Sequence, residues 1–249
     1  MSLSQKVALV TGAGSGIGRA VALELAKNGY AVLFAGRRQS LLEQAAAEGG
    51  SACLPLAMDV TDERSVESLF ARIGERFGRL DLLFNNAGTA AAVAPIEEVS
   101  LEQWRAIIDT NVTGLFLCTR AAVRLMKKQQ PQGGRIINNG SLSAHVPRPH
   151  MVAYTASKHA VSGITKATAL EGRNYNIACG QIDIGNAATS LTASLSVSAL
   201  QPDQSRKVEP TIDVQAVARS VLYMDSLSLD ANVLFLTVMA TQMPFVGRG

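Results

Sequence analysis

The sequence has few of the residues that build metal sites and disulfide frameworks. Its 249 residues include only three cysteines and three histidines: Cys53, Cys118, Cys179, His145, His150 and His159. Neither type recurs at the spacing of a metal site, and each cysteine lies among apolar residues. We therefore expect three small buried thiols and no bound metal.

Charged and aromatic residues are also sparse, at 17% and 5% of the chain, and the net charge is +3. Without a long basic run, this composition argues against a nucleic-acid partner and is compatible with an anionic cofactor. No apolar run approaches the roughly 20 residues that span a bilayer, and the N-terminus lacks a charged-then-apolar signal pattern. We expect a cytoplasmic protein without a membrane partner.

Hydrophobic residues make up 47% of the sequence, and they fall in alternating strand-like and helix-like segments. The predicted strands are 6–11, 31–36, 52–57, 80–85, 135–139, 176–182 and 233–238. The predicted helices are 17–28, 41–48, 63–77, 101–129 with a turn at Gly114, 152–171 and 213–226. Continuous apolar strands that alternate with helices predict an α/β fold, a doubly wound (Rossmann-type) parallel sheet with helices on both faces. No repeat or linker divides the chain, so we expect residues 1–249 to form one domain.

A glycine-rich segment follows the first predicted strand and opens the first helix, with the sequence Thr11-Gly12-Ala13-Gly14-Ser15-Gly16-Ile17-Gly18. Glycine permits a tight turn and lets the backbone approach a pyrophosphate at a helix N-terminus, where free amides and the helix dipole favour negative charge. The spacing of Gly12, Gly16 and Gly18 differs from the common dinucleotide fingerprint. Its position between a strand and a helix nevertheless predicts a dinucleotide site.

The end of the second strand bears on which dinucleotide is bound. An acidic side chain there would bind the ribose hydroxyls of NAD and repel a 2′-phosphate. This chain has Gly36-Arg37-Arg38 instead, and guanidinium groups suit a phosphate. The pattern favours NADP. NAD stays possible, because two solvated arginines at a helix start are an alternative and because Ser15 stands where a basic residue would have supplied a second phosphate contact.

Tyr154 and Lys158 are four residues apart and share one face of a predicted helix, with Ser141 thirteen residues upstream. A free tyrosine has a pKa near ~10 and is a poor acid or base at neutral pH. A nearby cation favours the phenolate and brings the group toward a useful range. Such a pair also occurs by chance on exposed helices, so its meaning depends on the accompanying motifs.

Together these motifs resemble those of the short-chain dehydrogenase/reductase family, over essentially the whole chain. The glycine turn is similar to the cofactor turn of that family. Asp59-Val60 is similar to the pair that contacts the adenine ring, and Asn85-Asn86-Ala87-Gly88 to the motif that borders the cofactor after strand four. The resemblance implies a nicotinamide cofactor and an oligomer, usually a homodimer or homotetramer, joined through the helices that follow strands four and five.

The resemblance also implies a catalytic set of four residues: Asn111, Ser141, Tyr154 and Lys158. In that family, the equivalent of Ser141 orients the substrate oxygen, and the equivalent of Tyr154 donates or removes the proton. Lys158 would lower the tyrosine pKa and hold the nicotinamide ribose, and Asn111 would pass protons to solvent through water. Ser143 is a possible auxiliary donor or simply a loop serine.

After strand six the chain departs from the family pattern, because Ile184 stands where a proline is usual, while Gly185 and Thr189 are retained. Losing the proline frees φ and adds a backbone donor, so we expect a more mobile turn. The resemblance implies carboxamide contacts from Ile184 and Ala187 and a pyrophosphate contact from Thr189. Asp183 is expected to cap a turn.

The complete set of expected cofactor-binding residues is Gly12, Ser15, Gly16, Ile17, Gly18, Arg37, Arg38, Asp59, Val60, Asn86, Ala87, Gly88, Tyr154, Lys158, Ile184, Gly185, Ala187 and Thr189.

Residues 190–210 are expected to form a substrate lid. His145, Arg148 and His150 could meet an acidic group of a substrate, although solvent-facing loop residues are the simpler interpretation. The tail, residues 241–249, is expected to cover its own active site or to reach a neighbouring subunit.

These observations predict an NADP(H)-preferring oxidoreductase that transfers a hydride between nicotinamide and a carbonyl or secondary alcohol, with Tyr154 as general acid/base. A 3-oxoacyl-thioester reductase is a reasonable specific case. One alternative is an NAD-dependent alcohol dehydrogenase. Another is a dinucleotide-sensing protein without turnover, which the altered turn at Ile184 would suggest.

Overall fold

The protein is described by a computed structural model that covers residues 5–90, 93–189 and 198–246. The strands are β1 (Val7–Thr11), β2 (Ala31–Gly36), β3 (Cys53–Ala57), β4 (Leu82–Asn85), β5 (Gly134–Asn139), β6 (Ile177–Gly185), β7 (Ala199–Leu200), β8 (Arg206–Lys207) and β9 (Phe235–Met239). The α-helices are α1 (Gly16–Lys27), α2 (Gln39–Gly49), α3 (Glu63–Phe77), α4 (Leu101–Ile108), α5 (Leu115–Lys128), α6 (Val152–Gly172) and α7 (Val214–Ser226).

The main sheet has seven parallel strands in the order β3-β2-β1-β4-β5-β6-β9. Chain order reverses between β1 and β4, and ligands bind at such a reversal, outside the carboxyl ends of the strands. The short strands β7 and β8 form a separate antiparallel hairpin. The predicted doubly wound α/β fold is therefore confirmed.

The sheet is covered on both faces, as its continuous apolar strands predict. Within β2, Val32 and Phe34 belong to one buried cluster, which also contains residues of α1 and α7. Leu33 and Ala35 belong to the cluster on the opposite face, with residues of α3 and α5. The three cysteines are free and buried, as expected, and burial raises the pKa of the Cys118 and Cys179 thiols to about 12.

The predicted turn at Gly114 is wrong, because the helix continues through it. A π-helical segment, Asp109–Gly114, joins α4 to α5. A Cβ atom on Gly114 would lie 2.7 Å from Cγ2 of Val60. Glycine at this position therefore permits a close approach between the helix and the residue after β3, and it does not interrupt the helix.

The combined helical stretch Leu101–Lys128 is long and apolar enough, by length and composition, to cross a membrane. Half of its most apolar window is buried inside the fold, and α5 packs against α3. A core helix of a soluble protein passes the same test, so this stretch carries no argument for a membrane.

At the amino ends of the strands, a buried polar cluster surrounds Asp225, at the end of α7. Its carboxylate accepts hydrogen bonds from Lys6 (3.0 Å) and from the Tyr30 hydroxyl. Burial, with this hydrogen bond, raises the pKa of Tyr30. Arg135 of β5 is almost fully buried and donates to the carbonyls of the loop after α7. This cluster lies at the edge of the sheet opposite to the carboxyl ends.

Candidate active site

A cavity of about 530 Å³ lies at the carboxyl edge of the sheet, at the strand-order reversal. This volume lies within the range of small-molecule and cofactor sites. It is lined by every residue that the sequence predicted for the site except Ser141, Gly18 and Gly185. The lining residues that the sequence analysis missed are Gly14, Gly36, Leu42, Met58, Thr89, Thr110, Asn139, Gly140 and Asn186. Most of them neighbour a predicted residue in the chain or lie at a strand end.

The glycine turn forms one wall of the cavity. Gly12 and Gly16 have φ values of +66° and +55°, which are strained for other residues. A Cβ atom on Gly18 would lie 2.4 Å from both the Gly12 carbonyl oxygen and Nδ2 of Asn86. Gly18 thus serves the close packing of α1 on the sheet, and the backbone amides at the start of α1 are available to an anion.

The segment after β4 is tied to the end of β1. The Thr11 hydroxyl accepts from the backbone N–H groups of Asn86 and Ala87, both at 2.9 Å. The Asn86 side chain donates to the Thr11 carbonyl and accepts from Asn139 of β5, again at 2.9 Å. These bonds fix the floor of the cavity across three neighbouring strands.

Two exposed arginines follow β2 at the cavity wall, and no acidic residue accompanies them there. Nη2 of Arg38 lies 3.3 Å from Oγ of Ser15 in the glycine turn. After β3, Asp59 accepts from the N–H (2.9 Å) and the hydroxyl (2.8 Å) of Thr61 through one carboxylate oxygen. The cavity therefore has a cationic end between the glycine turn and Arg37.

Tyr154 and Lys158 face the same cavity from α6. The Lys158 ammonium lies 5.5 Å from the centroid of the Tyr154 ring and donates to the carbonyl oxygen of Asn139 at 2.8 Å. Lys158 is 7% exposed, so its charge acts in a partly desolvated environment. The carbonyl of Asn139 thus fixes the ammonium beside the phenol.

Asn111 lies in the π-helical segment, a feature that is frequent at functional sites. Its side-chain oxygen accepts from the backbone N–H of Thr89 at 2.8 Å. Its amide donates to the Thr89 carbonyl (2.9 Å) and to the Ser157 hydroxyl (3.2 Å). The side chain of Asn111 therefore joins the segment after β4 to α6.

A chain of buried amides and hydroxyls sets the position of α6 relative to the sheet. Asn85 donates to the Thr119 hydroxyl (3.0 Å) and to Asn138 (2.9 Å). Asn138 in turn donates to the Thr165 hydroxyl of α6 at 2.9 Å. Buried polar networks of this kind rigidify a core when their members are paired. Each named hydrogen bond here is made, although the side-chain oxygen of Asn85 has no partner among the described residues. The helix that carries the tyrosine and lysine is thus held from inside the sheet.

Ser141 is buried at the end of β5, where it begins a 3₁₀ turn, Leu142–Ala144. Its hydroxyl oxygen accepts from the N–H of Ser143 at 3.1 Å, and its own N–H donates to Oδ1 of Asp183 at 3.0 Å. The hydroxyl proton of Ser141 is left available for another acceptor.

Asp183 does not cap a turn of its own segment after β6, as the sequence suggested; its carboxylate bonds instead to the turn that Ser141 begins. Strand β6 runs to Gly185, three residues beyond its predicted end, and Asp183 is fully buried inside it. The strand continues because β9 pairs with it through Gly185, a partner that lies about fifty residues away in the chain. The exposed ring of His145 contacts Asp183, with Nε2 at 2.8 Å from Oδ2.

The interpretation of Arg148 as a solvent-facing residue is also wrong. Its guanidinium forms an ion pair with Glu209, whose side chain is 2% exposed, and donates to Asn186 at 3.0 Å. Asn186 itself donates to Glu209 at 2.8 Å. Neither His145 nor Arg148 is therefore an uncompensated cation that waits for an acidic substrate. His150 has φ +62°, and its carbonyl accepts from Ala94 at 3.1 Å.

The turn after β6 is hydrogen-bonded to the chain before α7. Ile212 donates to the Asn186 carbonyl (2.9 Å), and its own carbonyl accepts from Ala188 (2.8 Å). A Cβ atom on Gly185 would lie 2.7 Å from atoms of Leu142, Met239 and Met243, so this glycine serves packing. The greater mobility expected from the missing proline stays a prediction.

The predicted lid and tail are only partly described. Residues 190–197 and 247–249 lie outside the described residues. The remainder of the lid contains the hairpin of β7 and β8. The tail folds back over its own chain: Met243 packs with Leu142, and the Phe245 ring meets His145 edge-on at 6.4 Å between centroids.

No group of three or more His, Cys, Asp or Glu residues that could hold a metal ion occurs in the described part of the chain. What the site does offer fits a dinucleotide. The left-handed glycines, the free amides of α1 and the arginines suit phosphates, and the lysine–tyrosine pair lies in the same cavity. The fold and the cavity are those of a nicotinamide-dinucleotide-dependent protein.

Comparison with known proteins specifies the class further. The family model described as short chain dehydrogenase matches residues 6–199, and the chain belongs to this family. It is 42% identical over 191 residues to the 3beta-hydroxysteroid dehydrogenase of Mediterraneibacter gnavus. That alignment covers 76% of this chain and 68% of the relative. It is 37% identical over 199 residues to a 3-oxoacyl-[acyl-carrier-protein] reductase of Synechocystis. This second alignment covers 78% of this chain and 79% of that reductase.

Solved structures agree with these sequence matches. The 3-ketoacyl-(acyl-carrier-protein) reductase of Brucella melitensis complexed with NADH has a TM-score of 0.84 at 29% identity, over 95% of this chain and 98% of that one. A closed form of serine dehydrogenase complexed with NADP+ has a TM-score of 0.85 at 25% identity, over 98% of both chains. The protein is an oxidoreductase that acts on a CH–OH or C=O group with a nicotinamide dinucleotide.

Proposed function

We propose that this enzyme prefers NADP(H) and interconverts a carbonyl compound and a secondary alcohol, with Tyr154 as the general acid/base. The observation that carries the proposal is the pairing of Tyr154 with Lys158 in the cavity that also contains the glycine turn. The ammonium lies 5.5 Å from the ring centroid and is held there by the Asn139 carbonyl. A fixed cation stabilises the phenolate that remains after the proton has been transferred.

The bound nicotinamide would supply the hydride chemistry, and the side chains would manage the proton and the substrate oxygen. In the direction of reduction, the Tyr154 hydroxyl donates its proton to the developing alkoxide. The Ser141 hydroxyl donates a hydrogen bond to the same oxygen and orients it. The Lys158 ammonium stabilises the Tyr154 phenolate until the phenolate takes up the next proton. In the proposed relay, Asn111 supports the passage of protons to solvent. Its hydrogen bonds to Thr89 and to Ser157 also fix the position of α6 relative to the segment after β4.

The preference for NADP(H) is proposed from the charge at the end of β2. Arg37 and Arg38 line the cavity, and the contact of Arg38 with Ser15 brings the guanidinium close to the glycine turn. Two guanidinium groups suit a 2′-phosphate, whereas a carboxylate suited to the ribose hydroxyls of NAD is absent from 36–38. NAD is the alternative cofactor, since the Brucella melitensis reductase is a complex with NADH.

For the substrate, we propose a 3-oxoacyl thioester as the specific candidate to test first. The support is the similarity to the reductases of Synechocystis and Brucella melitensis. A 3-oxosteroid is the second candidate, because the steroid dehydrogenase of Mediterraneibacter gnavus is 42% identical. The relatives are oxidoreductases and the proposed catalytic side chains are all present, which argues against a dinucleotide sensor without turnover. We further propose that residues 1–249 form one domain that works in the cytoplasm, where buried free cysteines stay reduced.

The proposal is tested by Tyr154→Phe, which removes only the phenolic hydroxyl. We expect kcat to fall by about 10²- to 10⁴-fold, the usual contribution of a general acid/base, with NADPH binding unchanged. Turnover is followed by NADPH consumption with an acetoacetyl thioester, a 3-oxosteroid and a simple ketone. Tyr175→Phe is the matched control and should leave kcat unaltered, because that ring packs against Lys127. Full turnover in the Tyr154 variant would refute the proposed acid.

A further inference from the structure

Asp183 is a fully buried carboxylate next to the proposed catalytic serine, and no role assigned so far requires it. Its Oδ1 accepts from the N–H of Ser141 (3.0 Å) and from Nε2 of Gln181 (2.7 Å). Its Oδ2 contacts Nε2 of His145 at 2.8 Å. The two oxygens therefore hold the two ends of one short turn, with Ser141 at its beginning and His145 directly after it.

Holding a turn with a buried carboxylate costs more free energy than holding it with a neutral acceptor. Within the described ranges, His145 is the only basic side chain that contacts it, and the His145 side chain is 44% exposed. Burying a charge costs free energy that a single partner at the surface seldom offsets, and well-packed apolar residues often stabilise a core at least as well. Stability alone therefore gives a poor account of Asp183, and a positional role beside the active site gives a better one.

The surroundings of Asp183 are shaped for this contact. A Cβ atom on Gly140, the residue before Ser141, would lie 2.0 Å from Oδ1 of Asp183 and 2.6 Å from Nε2 of Gln181. Only glycine at position 140 lets the carboxylate reach the main chain of the turn. Gln181 is in turn fixed by the hydroxyls of Ser162 (3.0 Å) and Thr165 (3.1 Å). Both hydroxyls belong to α6, the helix that carries Tyr154 and Lys158.

We propose that Asp183, supported by His145, is a positioning residue that fixes Ser141 for hydrogen bonding to the substrate oxygen. The inference rests on the proposed role of Ser141. With its N–H held by Asp183 and its hydroxyl oxygen held by the N–H of Ser143, the serine has only its hydroxyl proton left to donate. Through Gln181 the same carboxylate links the serine to α6, so that the donor and the tyrosine keep one relative geometry.

A double-mutant cycle tests this proposal. Asp183→Asn keeps the shape but weakens the acceptor for Ser141, and we expect kcat to fall about ten- to hundredfold, as for a lost hydrogen bond to a charged group. The Kd for NADPH should stay within about twofold. In a Ser141→Ala background, Asp183→Asn should cause no further loss of kcat, because the carboxylate acts through the serine. Independent, multiplicative losses, or an unchanged kcat in the single variant, would overturn the proposal.

A matched control and a second variant make this cycle decisive. Asp225→Asn alters the other buried aspartate, at the opposite edge of the sheet, and should lower the melting temperature while leaving kcat unchanged. His145→Ala removes one donor from Asp183 at an exposed position, so it serves if Asp183→Asn does not fold. It should lower kcat several-fold, and that effect should also vanish in the Ser141→Ala background. A loss that persists there would count against the proposal.

A measurement without turnover separates this inference from the proposed function. If the native enzyme reduces none of the test substrates, the proposed function fails, but the amide of Ser141 can still be observed by NMR. We expect its proton to be shifted downfield and protected from exchange, and His145 to carry its proton on Nε2. Asp183→Asn, which leaves a weaker acceptor, should reduce both the downfield shift and the protection. If the amide signal is the same in both proteins, the carboxylate does not position the serine.

Discussion

At the scale of the residue, the two arginines after β2 differ from Lys158 in the cavity and from Arg148 near it. Arg148 is paired with Glu209, and Lys158 is held by the Asn139 carbonyl. Arg37 and Arg38 are exposed, and Arg38 donates to a neutral group, the Ser15 hydroxyl. Their positive charge is thus only weakly compensated, which is the condition for binding a phosphate.

We expect Arg37→Ala combined with Arg38→Ala to weaken NADPH binding by about ten- to hundredfold, as for the loss of charge-assisted hydrogen bonds, and to change NADH binding little. Fluorescence titration of both reduced cofactors measures this. Arg19→Ala is the matched control, because this half-buried arginine of α1 pairs with Glu48 and does not line the cavity. An equal loss for NADPH and NADH would contradict the proposed preference.

Most of the residues that line the cavity could be predicted from sequence because their motifs are local, as in the four-residue spacing of Tyr154 and Lys158. The contacts of Asp183 could not. Its partner His145 lies 38 residues away in the chain and the N–H of Ser141 lies 42 away, so no spacing links them. Arg148 was misinterpreted for the same reason, since Glu209 comes 61 residues later.

At the scale of the element, helix and strand limits agree with sequence expectation where local signals are strong. Glu63–Phe77 was predicted with both ends correct, because Asp62 caps its first turn and Gly78 ends it in a left-handed conformation. β6 and the region of Gly114 were misjudged because their limits depend on distant partners, β9 and Val60.

The close approach of Gly114 to Val60 predicts that alanine has opposite effects on stability at Gly114 and at Gly163. Gly114→Ala gains helix propensity but places a methyl group 2.7 Å from Val60, so we expect a net loss of about 1–3 kcal/mol in the free energy of unfolding. Gly163→Ala in α6 is the control, because its added methyl group meets nothing within 4 Å. That variant should gain about 0.5–1 kcal/mol. Thermal unfolding measures both, and two shifts of the same sign would refute the explanation.

At the scale of the whole molecule, large apolar side chains remain exposed on the helices after β4 and β5. Leu101 (60%), Phe116 (44%) and Leu170 (61%) lie on α4, α5 and α6 respectively. These are the helices through which the family resemblance implies that subunits join. Helix α6 contacts both α4 and α5, and exposed apolar surface on neighbouring helices is typical of such contacts.

We therefore predict that the enzyme is a dimer or tetramer in solution and that Phe116→Asp together with Leu170→Asp shifts it toward smaller species. Burying a carboxylate in an apolar interface is strongly unfavourable, which is why dissociation is expected. Light scattering coupled to size-exclusion chromatography gives the mass. Val208→Asp changes another exposed apolar residue, directly after β8, and should leave the mass unaltered. A native monomer would contradict this prediction.

The ion pair of Arg148 and Glu209 has a consequence for how substrates enter and leave. It joins the loop before α6 to the chain before α7, and Asn186, which lines the cavity after β6, bonds to both partners. Because these groups are shielded from water, dissolved salt will hardly weaken them, and separating them would strand a charge in a region of low polarity. We therefore expect Arg148, Glu209 and Asn186 to keep their relative positions during the catalytic cycle. Any movement that admits a substrate should occur in other segments around the cavity.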